Sequence, residues 1–147
     1  MPQPPSHLRI GQLAERTGRS IYAIRWYEAQ GLVPGVVRNA SGHRVYSEQH
    51  VNWLVLMDRL RRTGMSIAEM RGYTRLVQQG RSTLSQRREQ LRAHREKVRR
   101  SIAEWTAALE LLDGKIDFYG QWLETGHRPP ELPAIPSRKP RNRKATP

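Results

Sequence analysis

Ile10-Gly11-Gln12-Leu13-Ala14-Glu15-Arg16-Thr17-Gly18-Arg19-Ser20 followed by Ile21-Tyr22-Ala23-Ile24-Arg25-Trp26-Tyr27-Glu28-Ala29-Gln30 and Gly31-Leu32-Val33-Pro34 decides the fold of this chain. A first helix begins near Ile10 with Leu13 and Ala14 on its buried side, and Gly18 ends it in a left-handed conformation. Ser20 is placed to cap a second helix by accepting a backbone N–H. Ile24 and Ala23 are that helix's packing residues, which leaves Arg19, Tyr22, Arg25 and Trp26 to project outward. Gly31 closes it and Pro34 prevents its resumption. Two short helices joined by a tight turn and followed by a basic loop are how a helix-turn-helix sets one helix in a DNA groove with phosphates held alongside.

Working outward, Val36 to Tyr46 alternates enough for a two-stranded ribbon, with turn chemistry in Asn39-Ala40-Ser41-Gly42. A third helix from about Ser47 to Arg62 carries Val51, Leu54, Val55 and Leu60 on one side and stops at Gly64. Ser66-Ile67-Ala68-Glu69 is a capping box for a fourth helix that runs to about Gln79, before Gly80.

Between Leu84 and Tyr119 the residues at steps of four and three are Leu84, Arg88, Leu91, Arg95, Val98, Ile102, Trp105, Leu109, Leu112, Ile116 and Tyr119; nine of these eleven are apolar, the seam of a coiled coil. So narrow a seam buries little on its own chain and predicts a second helix, supplied by another copy of the protein through residues 84–119. Arg88 and Arg95 weaken the first half of the seam unless they meet carboxylates. Gly114 interrupts the pattern at a cost of about 1 kcal/mol relative to Ala, which predicts a break into a short terminal helix ending at Thr125-Gly126.

The chain has 147 residues and a net charge of +13, an excess that favours a polyanionic partner. Residues 1–80 hold 11 Lys/Arg against 5 Asp/Glu, so the excess is largest in the helix-turn-helix region. With no cysteine there is no disulfide, thiolate metal site or cysteine nucleophile. The five histidines, His7, His43, His50, His94 and His127, lack the pairing of a metal site, and no metal or cofactor is expected. The N-terminus lacks the build of a secretory signal and no apolar run is long enough to span a membrane. The expectation is a cytoplasmic, nucleoid-associated protein without a membrane partner. Residues 1–7 and 128–147, the latter rich in proline and basic residues, read as disordered arms.

Ile10-Gly11-Gln12-Leu13-Ala14, Thr17-Gly18, Arg25-Trp26-Tyr27-Glu28, Gly31-Leu32-Val33-Pro34, Gly42-His43-Arg44-Val45-Tyr46 and Leu60-Arg61-Arg62-Thr63-Gly64-Met65-Ser66 resemble the signature of MerR-type bacterial transcriptional regulators. The resemblance implies a mainly α protein: a winged helix-turn-helix head over residues 8–78, then a long dimerisation helix over 82–126 that pairs as an antiparallel coiled coil. It implies a homodimer on a pseudo-palindromic promoter operator, distorting the DNA so that RNA polymerase can use the promoter. Carried over residue by residue, Arg19, Ser20, Tyr22, Ala23 and Arg25 match the start and outward face of the recognition helix. Arg25 and Tyr27 fall where the family holds the DNA backbone, and Arg38, His43, Arg44 and Tyr46 match the wing. Three positions depart from the pattern: Trp26 in place of Tyr, Val37 in place of a frequent wing Arg, and His43 in place of an aromatic residue. The missing cysteines exclude a thiolate sensor.

Trp105, Phe118, Tyr119 and Trp122 have two readings, packing in the dimer seam or an aromatic effector pocket. No phosphate-cradling glycine loop or paired catalytic spacing is present, so an enzyme, and with it any catalytic residue, is not expected. The rival reading is a sequence-tolerant, architectural nucleic-acid-binding protein, which would share the basic head but bind all sequences alike.

Overall fold

The four short helices, the ribbon and the long helix form in the expected order; the separate terminal helix after Gly114 does not. The computed structural model describes residues 7–131 and divides into two units, one through Arg99 and one from Arg100. The first contains α1 (Ile10–Thr17), α2 (Ile21–Ala29), β1 (Val37–Arg38), β2 (Arg44–Val45), α3 (Glu48–Arg62) and α4 (Ile67–Gln78). After a single 3-10 turn, Arg81–Thr83, the long helix α5 (Leu84–Thr125) begins. The arms assigned to residues 1–7 and 128–147 fall almost wholly outside the described residues.

The turn between α1 and α2 depends on Gly18, whose φ of 65° lies where a side chain is disfavoured. That left-handed residue lets the Arg19 N–H reach back to the Ala14 carbonyl at 3.1 Å. Ser20 Oγ then accepts the Ala23 N–H at 3.0 Å and starts α2. α1 packs on α2 and α3, and α3 on α4. Leu13, Ile24, Leu32, Leu54, Met57 and Met70 are fully buried between them, each contributing about 1.5–3 kcal/mol by leaving water. Val55 departs from expectation: it is exposed, and Met57 is buried instead. α3 turns His50, Val51, Leu54, Met57, Asp58 and Leu60 inward, and Val55 lies off that arc.

β1 and β2 pair antiparallel with Val37 opposite Val45 and Arg38 opposite Arg44. The ribbon gains an edge from Leu8, which exchanges backbone hydrogen bonds with Tyr46 at 2.7 and 2.8 Å. Its base is tied to α3 by His50, a buried residue. His50 Nδ1 accepts the Ser47 N–H at 3.0 Å, so that nitrogen carries no proton; Nε2 must, and donates to the Pro34 carbonyl at 3.0 Å.

In the second unit α5 continues without interruption to Thr125, so the break expected at Gly114 does not occur. Once a helix is nucleated each further residue adds a hydrogen bond, and two glycines, Gly114 and Gly120, in 42 residues do not outweigh that. Ile102, Trp105, Leu109, Leu112, Ile116 and Tyr119 are all exposed along α5.

Candidate nucleic-acid interface

α2 is held from both ends and from beneath. At its start, Arg19 forms an ion pair with Asp58 of α3, and the same carboxylate accepts Arg62 Nε at 3.1 Å. Midway, the Arg61 guanidinium lies 4.5 Å from the centre of the Trp26 ring, a cation–π contact. At its end, Arg71 Nε donates to the Gln30 carbonyl at 2.9 Å and Trp53 Nε1 donates to the Leu32 carbonyl at 2.6 Å. Trp53 in turn stacks on Tyr73 of α4, with 5.8 Å between ring centres. These contacts satisfy carbonyls that a helix end leaves unpaired and fix the helix against α3 and α4. Its outer surface presents Tyr22, 80% exposed, and Arg25.

Beside α2 the ribbon closes a concavity of about 680 Å³, lined by Arg9, Ile10, Arg25, Glu28, Ala29, Arg38, Gly42, His43, Arg44 and Tyr46. Four arginines against one glutamate make it strongly cationic. The tip of the ribbon is cross-linked by hydrogen bonds: Asn39 Oδ1 accepts the Ser41 and His43 N–H groups, each at 3.0 Å, and Arg38 Nη1 donates to the Gly42 carbonyl at 2.6 Å. Arg44 Nε donates to Glu28 Oε1 at 2.7 Å, and the Tyr46 hydroxyl lies 3.4 Å from Glu28 Oε2. Burial first, and then the Glu28 charge, push the Tyr46 phenol above its ordinary pKa, so it stays a neutral donor. A cationic hollow of forked donors next to an exposed helix face suits phosphates flanking a groove.

The residues singled out from the sequence divide into several groups. Arg25, Arg38, His43, Arg44 and Tyr46 are brought together around the concavity. Tyr22 lies on the free face of α2, whereas Ser20 is occupied as its cap and Ala23 is half-buried. Arg19 is committed to Asp58 inside the protein. Tyr27 and Tyr46 are 2% and 1% exposed, so both rings are core rings that leave at most a hydroxyl edge for a ligand. Trp26 does not project outward; it is half-buried against the core beneath Arg61. Reasoning from the sequence missed Arg9, Glu28, His50, Asp58 and Arg71. Of these only His50 carried a local signal, standing where a capping box has its third residue after Ser47; Glu28, Asp58 and Arg71 act through partners distant in sequence, and Arg9 matters through where the fold places it on the rim of the concavity.

Among the aromatic residues of α5, Phe118 is buried and meets Tyr119 and Trp122 edge-to-face, with ring centres 5.5 and 6.0 Å apart. Arg128, just past the helix end, lies 6.0 Å from the Phe118 ring and 5.7 Å from that of Trp122. Trp105 is several turns earlier and 74% exposed, so within one chain it is not part of this cluster.

Fold and site together define a winged helix-turn-helix DNA-binding head. A family model described as MerR HTH family regulatory protein matches residues 8–76, and one described as MerR, DNA binding matches residues 51–115. An HTH-type transcriptional regulator of Haemophilus influenzae is 32% identical over 124 residues, 84% of this chain and 92% of that one. The crystal structure of HiNmlR, a MerR family regulator lacking the sensor domain and bound to promoter DNA, superposes with a TM-score of 0.74 at 30% identity, covering 82% of this chain and 95% of that one. A MerR family transcriptional regulator from Bacillus thuringiensis gives 0.69 at 29% identity, covering 76% and 97%. The chain belongs to the MerR family of helix-turn-helix transcriptional regulators.

Proposed function

We propose that this regulator binds a pseudo-palindromic promoter operator as a homodimer and controls transcription by distorting the DNA between two clamped half-sites. The observation that carries the reading is the juxtaposition, on one rigid head, of the free face of α2 with the basic concavity beside it. α2 enters the major groove with Tyr22 and Arg25 outermost, while Arg25, Arg38, His43 and Arg44 hold the flanking phosphates; the Tyr46 hydroxyl, turned to Glu28, supports that site from within. Ser20 and Ala23 shape the start of that helix. RNA polymerase acts on the same promoter. The head of residues 8–78 and the dimerisation helix of residues 82–126 are the functional divisions, the work is not enzymatic, and it is done in the cytoplasm at the nucleoid.

Pairing through α5 is supported by its exposed stripe and by its charge. Residues 81–100 carry eight Lys/Arg and two Asp/Glu, whereas residues 101–125 carry one and five. In an antiparallel pair each basic half lies along the partner's acidic half, which supplies carboxylates near Arg88 and Arg95; a parallel pair would set like charges together. Trp105 and Tyr119 belong to this seam. Phe118 and Trp122, under Arg128, are the better place for an effector contact. The signal is a small molecule or stress that needs no thiolate, because the chain has no cysteine.

Gel-shift competition between the protein's own promoter region and random DNA at about 150 mM salt tests the reading: the operator is preferred by ~10³ or more. Equal affinity for both would instead indicate the sequence-tolerant architectural protein, for which the relatives offer no support.

A further inference from the structure

One residue of the basic concavity has the wrong sign. Glu28 sits among Arg9, Arg25, Arg38 and Arg44, where a carboxylate repels any phosphate that approaches. It is not a loose surface group: its side chain is 20% exposed, and each oxygen faces a partner, Arg44 Nε at 2.7 Å and the Tyr46 hydroxyl at 3.4 Å. Tyr46 is itself locked in the core, so Glu28 is braced from below. Arg44, by contrast, is 48% exposed and engaged only along its Nε edge; among the described residues its two terminal nitrogens donate to no protein group. Those terminal nitrogens form the fork that grips a phosphate bidentately. Arg38, opposite Arg44 in the ribbon, is differently placed, with a terminal nitrogen already bonded to the Gly42 carbonyl.

We infer that Glu28 is a positioning residue for phosphate binding: braced by Tyr46, it holds Arg44 by the Nε edge so that the guanidinium fork faces the DNA backbone before DNA arrives. The inference rests on the promoter-binding reading above. A flexible arginine loses rotamer freedom when it binds, and fixing it beforehand removes that loss. The competing role for Glu28 is structural, relieving the repulsion of two arginines directly across the ribbon.

The two roles separate in a double-mutant cycle on the full-length protein, read as affinity for its own promoter fragment over a series of salt concentrations. Arg44→Ala is expected to weaken binding about tenfold or more and to lower the salt slope by about two, one for each head of the dimer. Glu28→Ala is expected to weaken binding several-fold although it removes a negative charge. The double variant should bind no worse than Arg44→Ala, because Glu28 acts through that side chain. Glu28→Gln keeps the acceptor and the shape without the repulsion, and should bind at least as tightly as the native protein.

Multiplicative losses in the double variant, tighter binding by Glu28→Ala, or a loss in Glu28→Gln equal to that of Arg44→Ala would each overturn the inference. An unchanged affinity and slope in Arg44→Ala would instead remove the phosphate assignment beneath it. If Glu28→Ala melts early, Glu28→Leu, which keeps the bulk but cannot hold Arg44, takes its place in the cycle.

Discussion

Asp58→Ala is the most searching perturbation of the head, because one buried carboxylate joins the start of the recognition helix α2 to α3. Asp58 is 7% exposed, bonded to Arg19 through one oxygen and to Arg62 through the other. The Arg62 pair is an i,i+4 contact on a side chain 61% exposed, worth about 0.3–0.5 kcal/mol. Removing one member of a fully buried pair costs about 3–5 kcal/mol. Arg19 is 23% exposed, and water that reaches it after the mutation brings its share down to about 1.5–2.5 kcal/mol. The sum is about 2–3 kcal/mol, a large fraction of the ~5–15 kcal/mol that holds a domain together. Chemical denaturation followed by circular dichroism, at one fixed protein concentration because the protein is proposed to dimerise, measures it. A loss below about 0.5 kcal/mol would refute the view that Asp58 anchors α2. A binding measurement sharpens the test. If Arg19 serves chiefly to hold the start of α2, Asp58→Ala lowers operator affinity despite its extra positive charge. If Arg19 is a DNA contact restrained by Asp58, the same variant binds more tightly.

Three further outcomes are expected. Burial is the leading cause raising the Tyr46 and Tyr73 phenols above 10.0; the neutral forms are favoured in the folded state, so this stability is complete below the ordinary phenol value and is lost as pH rises through the folded values. Melting temperature should therefore fall on passing above pH 10.0, and Tyr46→Phe should flatten that fall; an unchanged profile would contradict the assignment. His50→Ala leaves the Pro34 carbonyl and the Ser47 N–H without their bridge and should cost about 1–3 kcal/mol, seen as a lower denaturation midpoint with the m-value unchanged. Leu112→Glu sets a charge on the exposed stripe of α5 and should yield single chains in sedimentation at micromolar concentration, while the head keeps its circular dichroism; a persistent dimer would place the interface elsewhere.

The helical elements were legible because their signals are local. Gly18 for the left-handed turn, Ser20 for the cap and the Ser66/Glu69 box each act within four residues, so the bounds of α1, α2 and α4 follow from neighbouring side chains alone. The errors came where packing chooses between faces. Val55 and Met57 are both suitable core residues, and only the way α3 lies on α1 and α4 selects Met57. At Gly114 propensity argued for a break, but a preference of about 1 kcal/mol does not stop a long helix already nucleated.

From its sequence alone this chain is already a small cationic head with two short helices and a ribbon, followed by a long helix with one apolar seam. Turn residues, caps and hydrophobic period are written in near neighbours, and net charge needs no coordinates. Tertiary structure decided which charges are available to a ligand. It drew Arg19 onto Asp58 from 39 positions away in the chain, sank Tyr27 and Tyr46 into the core, and set Arg9, Arg25, Arg38 and Arg44 around Glu28. An arginine reads the same in sequence whether it faces solvent or a buried carboxylate, because its partner comes from a distant element and only the packing of helices brings the two together.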